Sequence, residues 1–493
     1  MSRLRPAVAV APIVVAIGAL AAGAWALAGR GLVNYDTLYA LVWGRDLGHG
    51  RLPDYDVSLA PTPHPLATLA GLVLTPLSSA VHDGLHGDAA VTVTLVGAFA
   101  ALGLLGWVLY RLGEAWFNPA AGALAVAIML TRRPVLDFGG RAYVDIPYLV
   151  LVLWALLIET RRPRTGARVL AILAVAGLIR PEAWLFSGAY WLYLAVDDRR
   201  PRGELARLAV LAAAAPVLWM LSDLVVTGDP LHSLTGTQSN AESLGRITGI
   251  QNVPLTAPRR IGEILREPVL LAAAGGGLLS LRWLPERVRI GAATGFLSIG
   301  AFCILAAAGL PILGRYLLLP SAILAVFAGG GVFGWLELAR GDRRRTPWAR
   351  FAAVCILALI VFTPAQVGRI RDLRHALKVQ DGIQDDLAAL VRGGGFAAPC
   401  RTVAVPNHRP VPLLALWLDT PPQRIVSALE RTPHEGVYVR PATPAVARDY
   451  ILDPRDPVKV VPRVPAGFRA VGGNRSWRLF KRCAPDVVMH RGE

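Results

Sequence analysis

Four stretches of this chain set ionisable side chains among apolar ones. Residues 30–64 hold Asp36, Asp46, Asp54 and Asp56, with His49, His64 and the interleaved aromatics Tyr39, Trp43 and Tyr55. Residues 131–142 hold Arg132, Arg133, Asp137 and Arg141, and Asp145 follows just beyond. Arg180-Pro181-Glu182 interrupts a third, otherwise apolar stretch, and Arg315-Tyr316 follows a Gly-Leu-Pro turn. A carboxylate can accept a proton from a hydroxyl held within hydrogen-bond reach. Guanidinium groups clamp phosphate oxygens through paired, planar N–H donors. One acid with several fixed cations therefore suits a reaction between a phosphate ester and a hydroxyl group.

Each residue also has a plainer reading. Asp36 opens a predicted short amphipathic helix over 35–47 at the membrane surface, so it either caps that helix or serves as a base. Asp46 reads as a solvated surface charge. Asp54 and Asp56, two apart in an extended stretch, point to one side and form at most a weak divalent-cation pair. His64, between Pro63 and Pro65, is an interfacial residue or touches a phosphate or acceptor. Asp137 and Asp145 can neutralise the neighbouring arginines. Arg180 and Glu182 pair with each other or face a pocket, and Arg315 can simply snorkel to the interface.

The elements that must position these groups are membrane helices. The 493 residues are 54% hydrophobic and 17% charged, with a mean hydropathy of +0.47. Soluble chains carry about 25% charged residues. A crossing takes about 20 apolar residues. Strong candidates are 8–28, 90–110, 143–158, 205–226, 264–281, 290–309, 312–336 and 351–363; shorter ones are 65–81, 119–130, 169–179 and 183–196. The expected fold class is a polytopic α-helical membrane protein of about 11–13 spans over residues 1–365, with a small extracytoplasmic α/β domain over 366–493. Residues 8–28 are too long for a signal-peptide core and follow Arg3 and Arg5, which predicts a first helix with its N-terminus inside.

The net charge of +17 is explained by short loops rather than by nucleic acid. Clusters at Arg161, Arg162, Arg164 and Arg168, at Arg199, Arg200, Arg202 and Arg207, and at Arg343–Arg345 are expected on the cytoplasmic side. This sets 30–64, 131–142, 228–262, 309–315 and the terminal segment outside, in a plasma-membrane protein. One parity conflict arises: if 65–81 crosses fully, another segment must be re-entrant. In the terminal segment, apolar spacing predicts a helix over 370–390 and another over 411–418, with strands at 402–405, 436–439, 459–461 and 477–480. Asn407, His408 and Arg409 follow the first strand, as an ordinary polar loop or a wall of an acceptor cleft. Cys303 and Cys355 lie in apolar spans, whereas Cys400 and Cys483 bracket most of the terminal segment and are expected to form a disulfide in an oxidising compartment.

This layout resembles the GT-C superfamily of membrane glycosyltransferases that use polyprenyl-phosphate sugars. The resemblance rests on Asn34-Tyr35-Asp36, Pro53-Asp54-Tyr55, Pro63-His64-Pro65, the arginine-bearing 131–145 loop, Arg180-Pro181-Glu182 and Arg315-Tyr316 with Pro320, in that order and on one side. It implies a catalytic Asp36, donor-phosphate contacts from Arg315, Arg141, Arg180 and Tyr316, and supporting roles for Asp54, Asp56, His64, Asp137, Asp145 and Glu182. It also implies a polyprenyl-phosphate sugar donor, a glycan or glycolipid acceptor and surrounding membrane lipids as partners. The composition is similar to that of actinobacterial mannosyl- or arabinofuranosyltransferases of the cell envelope. The single acid at the NYD position and the lack of a clear ligand set predict no metal and no other cofactor, and a monomer is expected. The rival readings are a precursor transporter or flippase, which internal repeats would favour and none are found, and a noncatalytic envelope-assembly protein.

Overall fold

The computed structural model describes residues 5–196, 200–396 and 402–483. Arg3, Arg199 and Cys400 lie outside those residues. The chain begins with α1 (Arg5–Ala28), then α2 (Tyr35–Gly48), α3 (Pro65–Val73), α4 (Thr75–Ser79) and a two-residue hairpin, β1 (Val81–His82) and β2 (Leu85–His86). The bundle continues with α5 (Asp88–Trp116), α6 (Pro119–Thr131), α7 (Arg133–Gly140), α8 (Asp145–Arg161), α9 (Ala167–Gly177) and α10 (Glu182–Ala195). Then come α11 (Arg202–Thr227), α12 (His232–Ser243), α13 (Val253–Leu265), α14 (Glu267–Trp283), α15 (Pro285–Ala307), α16 (Leu318–Phe333) and α17 (Arg345–Arg392).

Among the described residues, six helices are long and apolar enough to cross a membrane, or eight if each of two bent pairs counts as one span. The protein is thus a polytopic helical membrane bundle. Against the expected 11–13 spans, α8, α9 and α10 have only 17, 11 and 14 residues. The expected segment 65–81 breaks at Leu74 into α3 and α4, of nine and five residues. Both are too short to cross, and they pack on α2 instead. The condition for the parity conflict, a full crossing by 65–81, is therefore not met.

Small residues set the closest helix contacts. Ala272, Ala273 and Gly276 on α14 meet Phe327–Gly331 on α16, and a methyl at Gly276 would run into the Phe327 carbonyl. In lipid, where apolar side chains gain little by leaving one apolar medium for another, such backbone proximity is a main source of association.

α17 carries the chain out of the bundle without a break, so the expected boundary at 365/366 falls inside a 48-residue helix. Beyond it lie β3 (Val403–Val405), α18 (Val411–Trp417), β4 (Ile425–Ser427), β5 (Gly436–Pro441), β6 (Arg469–Gly473) and β7 (Trp477–Arg482). The sheet order is β4-β3-β5-β7-β6, parallel at β4-β3-β5 and antiparallel at β5-β7-β6. The expected strand at 459–461 does not form, and 425–427 and 469–473 take places in the sheet instead. Cys483 is disulfide-bonded and Cys303 and Cys355 are free; Cys400, its expected partner, is not among the described residues.

This terminal unit shares one core with the first loop. Tyr39, Trp43 and Tyr55 belong to the same buried cluster as Leu387, Leu414 and Trp477. α2 therefore does not lie at a lipid surface on one apolar face: Thr37–Asp46 are all buried. Arg45 is wholly buried and donates to the Ala415 carbonyl at 3.0 Å while facing Asp419 at 3.1 Å. Asp46, expected to be solvated, is 6% exposed and takes Arg51 at 2.9 Å.

Candidate functional site

Asp36 owes its freedom to its neighbour. The α2 N-cap is Asn34, whose Oδ1 accepts the backbone N–H of Asp36 at 2.8 Å and of Thr37 at 3.1 Å. With the orphan donors of the first turn satisfied, the Asp36 carboxylate is not needed as a cap.

The same segment is tied to the 131–142 stretch. Leu32 N donates to Gly140 O at 3.0 Å, Asn34 N to Arg141 O at 2.9 Å, and Thr37 Oγ1 to Ala142 O at 2.8 Å. Gly31 adopts φ +75° with its α-carbon against the Gly140 carbonyl, where a side chain would collide. These bonds bring residues more than 100 positions apart into one rim.

Arg315 sits on the 3₁₀ turn Gly314–Leu317 that leads into α16. Its Nη1 donates to Asp36 Oδ2 at 3.0 Å and lies 3.9 Å from Asp145 Oδ2. Asp145 in turn pairs with Arg180, and Arg180 Nη2 donates to Glu182 Oε1 at 2.6 Å. The result is an alternating chain, Asp36–Arg315–Asp145–Arg180–Glu182, supplied by α2, the α16 turn, α8 and the α9–α10 corner.

Exposure divides this chain in two. Asp145 is 2% exposed, and Arg180 and Glu182 are 5% and 8%. The side chains of Asp36 and Arg315 remain 22% and 21% accessible. The inner three charges hold the outer pair in place. Tyr316 packs its ring against the Arg180 guanidinium at 4.4 Å, and Tyr143 lies under Arg315 at 5.3 Å.

The remaining expected residues fall into three groups. Arg141 pairs with Asp137 at 2.6 Å and stands with Asp36 and Arg315 around Tyr143. His64 caps α3 without a side-chain hydrogen bond; its ring meets Trp219 edge-on at 5.8 Å, and its Nδ1 is buried without a partner although part of the ring is exposed. Burial, and then the positive charge of Arg180, lower its pKa to about 4. Asp54 and Asp56 are not drawn into the charged chain: Asp54 accepts the Asp56 N–H at 2.8 Å and pairs with Gln423, and Asp56 faces His232 at 3.8 Å. Among the described residues no group of three or more His, Cys, Asp or Glu side chains is placed to hold a metal ion.

Two further contributors are Tyr143, which the sequence did not single out, and His408, named there only as part of an ordinary polar loop or an acceptor-cleft wall. Tyr143 was visible only as the start of an apolar run. His408, on the β3–α18 loop, sets its ring edge-on to Tyr35 at 5.3 Å, next to Asp36 in the chain. Burial and the adjacent Arg409 hold it at a pKa of about 4. Its neighbours Asn407 and Arg409 anchor the loop through the Ile451 carbonyl at 2.8 Å and Asp453 at 2.8 Å.

No family model matches this chain, and no curated protein sequence matches it. Solved structures do resemble it. The crystal structure of ArnT from Cupriavidus metallidurans bound to undecaprenyl phosphate superposes with a TM-score of 0.51 at 13% identity, over 95% of this chain and 97% of that one. The same protein in its apo state gives a TM-score of 0.49 at 15% identity, over 96% and 98%. The oligosaccharyltransferase of Archaeoglobus fulgidus with a tethered acceptor peptide gives 0.47 at 13% identity, over 85% of this chain and 64% of that one. The first of these shows that the chain has the fold of ArnT along nearly its whole length.

Proposed function

We propose that this protein is a GT-C-type membrane glycosyltransferase. It moves a sugar from a polyprenyl-phosphate donor to a glycan or glycolipid acceptor of the cell envelope, at the outer face of the plasma membrane, with inversion. The single observation that carries this reading is the accessible Asp36–Arg315 pair backed by the buried Asp145–Arg180–Glu182 cluster. The fold shared with ArnT, a protein seen with undecaprenyl phosphate bound, is a second support.

The donor phosphodiester, with two non-bridging oxygens that match the paired N–H donors of a guanidinium as a carboxylate does, takes Arg315 from Asp36. Arg141 and Tyr316 complete the phosphate contacts from either side. Arg180 supports from behind, since Asp145 and Glu182 already occupy it. Released from Arg315, Asp36 accepts the acceptor hydroxyl proton. The acceptor oxygen attacks the anomeric carbon from the face opposite the phosphate. The carbon–oxygen bond to phosphate breaks with its electron pair on the phosphate oxygen, where fixed positive charge stabilises it. Asp54, Asp56, Asp137 and His64 shape the surroundings and touch no reacting atom. No step requires a metal ion. The actinobacterial-type assignments, mannosyl or arabinofuranosyl transfer, are the finer form of the same proposal.

The test offers purified protein a panel of polyprenyl-phosphate sugars and acceptors and identifies the linkage formed. Asp36→Asn is expected to lower turnover by about 10²–10⁴-fold at an unchanged thermal midpoint. Wild-type turnover in that variant, or transport of the intact donor without transfer, overturns the reading.

A further inference from the structure

A second cationic centre lies apart from the Asp36 chain. Arg132 occupies the break between α6 and α7, which are bent by 66°. It is 6% exposed, and its hydrogen bonds go to neutral oxygens: Ile128 O and Leu265 O at 3.1 Å and Thr131 Oγ1 at 3.4 Å. The Leu265 carbonyl brings in Arg266, which follows Leu265 at the 106° bend between α13 and α14. Gln366 on α17 donates to the Thr131 carbonyl at 2.5 Å, and Arg369 stands one helical turn further on the same face. Arg266 and Arg369 are accordingly the like charges that act on Arg132.

Three guanidinium groups thus meet with little acid between them. Among the described residues no carboxylate lies within ion-pair distance of Arg132 or Arg369. Arg266 has Glu267 at 3.4 Å, but that carboxylate is 73% exposed. Glu263 is committed to Arg259 and Arg260 at 3.0 and 2.6 Å. Arg266 Nε and Arg369 Nη1 are buried N–H groups without a protein acceptor. Gathering like charges out of water is unfavourable unless an anion joins them.

The position also speaks to the source of that anion. α13 lies across the end of α14, and the α6–α7 bend is at the same level. The apolar part of α17, 351–363, ends just before Pro364. Two helix bends and the end of the apolar part of α17 coincide at the cluster, which is the argument for assigning it to headgroup depth.

We infer that Arg132, Arg266 and Arg369 form a binding site for a phosphate group, separate from the Asp36–Arg315 site and filled by the headgroup of an anionic membrane lipid. The site holds one lipid between α6, α14 and α17 and so braces both bent helix pairs.

The experiment uses delipidated full-length protein in neutral detergent, with native mass spectrometry and thermal midpoint as readouts. Phosphatidylglycerol, phosphatidylcholine and inorganic phosphate are added separately. Wild type is expected to retain one phosphatidylglycerol and to gain thermal stability, with at least about tenfold preference over phosphatidylcholine. Arg266→Gln with Arg369→Gln should abolish that preference, and Arg266→Lys with Arg369→Lys should keep part of it. Should the double glutamine variant fail to fold, Arg369→Gln alone is read in the same way. Asp36→Asn should leave lipid retention untouched, which separates this site from the transfer reaction. Binding of inorganic phosphate in place of the lipid, lost in the glutamine variants, supports the phosphate site and moves its source to solution. Equal retention of the two lipids, or retention unchanged by the glutamine variants, overturns the proposal.

Discussion

Arg315 donates to Asp36 at 3.0 Å across 279 residues of sequence, and it is the link between the accessible carboxylate and the buried charges behind it. In the proposed reaction this cation does two jobs in turn: it holds the carboxylate in place before substrate arrives, and it receives the donor phosphate afterwards. Arg315→Lys keeps the charge but loses the planar fork that phosphate recognition uses. The expected outcome is a rise of about tenfold or more in KM for the polyprenyl-phosphate sugar. Arg315→Gln should lower kcat as well. Steady-state kinetics with varied donor and saturating acceptor checks both.

Asp145, Arg180 and Glu182 should behave as a structural unit. Removing one partner of a buried ion cluster strands the others, which costs about 3–5 kcal/mol. Arg180→Ala is therefore expected to lower the thermal midpoint sharply in detergent, with activity lost through unfolding rather than through a changed KM. Asp36→Asn, at the accessible end, should not show this. Differential scanning fluorimetry of the two variants side by side distinguishes them.

His64 predicts a pH dependence of stability. Burial and Arg180 depress its folded-state pKa to about 4, below the unfolded value of about 6.5. The neutral ring is thus favoured by folding. Its contribution is fully present above pH about 6.5 and is lost as pH falls toward about 4, because protonation favours the unfolded chain there. The loss amounts to roughly 1–3 kcal/mol, since part of the ring is exposed. In His64→Phe the midpoint should change less between pH 7 and pH 4.5 than in wild type. An identical pH profile in the two proteins counts against the assignment.

Gly44 and Gly71 let α2 and α3 cross with their backbones in contact: a methyl on Gly44 runs into the Gly71 backbone, and one on Gly71 into the Ala40 carbonyl. Neither neighbour is a flexible side-chain end, so α3 must move away from the helix that carries Asp36. Gly71→Ala is expected to reduce transfer at least about tenfold, since small displacements of positioned groups are costly to rate, while membrane insertion is preserved. Turnover per folded molecule, counted by size-exclusion chromatography, measures it.

Arg45 ties α2 to α18 across 370 residues, through the Ala415 carbonyl and Asp419. Arg45→Met is expected to loosen the terminal unit from the first loop, seen as faster protease cleavage beyond residue 392 than in wild type. Unchanged cleavage would mean that the shared apolar core alone holds the two together.

Apolar run length and the rhythm of arginines were enough, without coordinates, to identify a multi-pass membrane bundle with a small α/β unit after it, because lipid demands long helices and leaves a compositional mark on each. The order of Asp36, the 131–145 loop, Arg180-Pro181-Glu182 and Arg315 was legible for the same reason: each lies at the end of an apolar run. Local spacing could not tell which charges meet. That Asn34 rather than Asp36 caps α2, that Arg180 is spent on Asp145 and Glu182, that Asp46 is buried, and that Arg132 and Arg266, at two helix breaks, converge with Arg369 on the unbroken α17 were decided only by packing. Those partnerships depend on where helices bend and how closely small residues let them approach, and these are distances set between segments hundreds of residues apart, which no local pattern encodes.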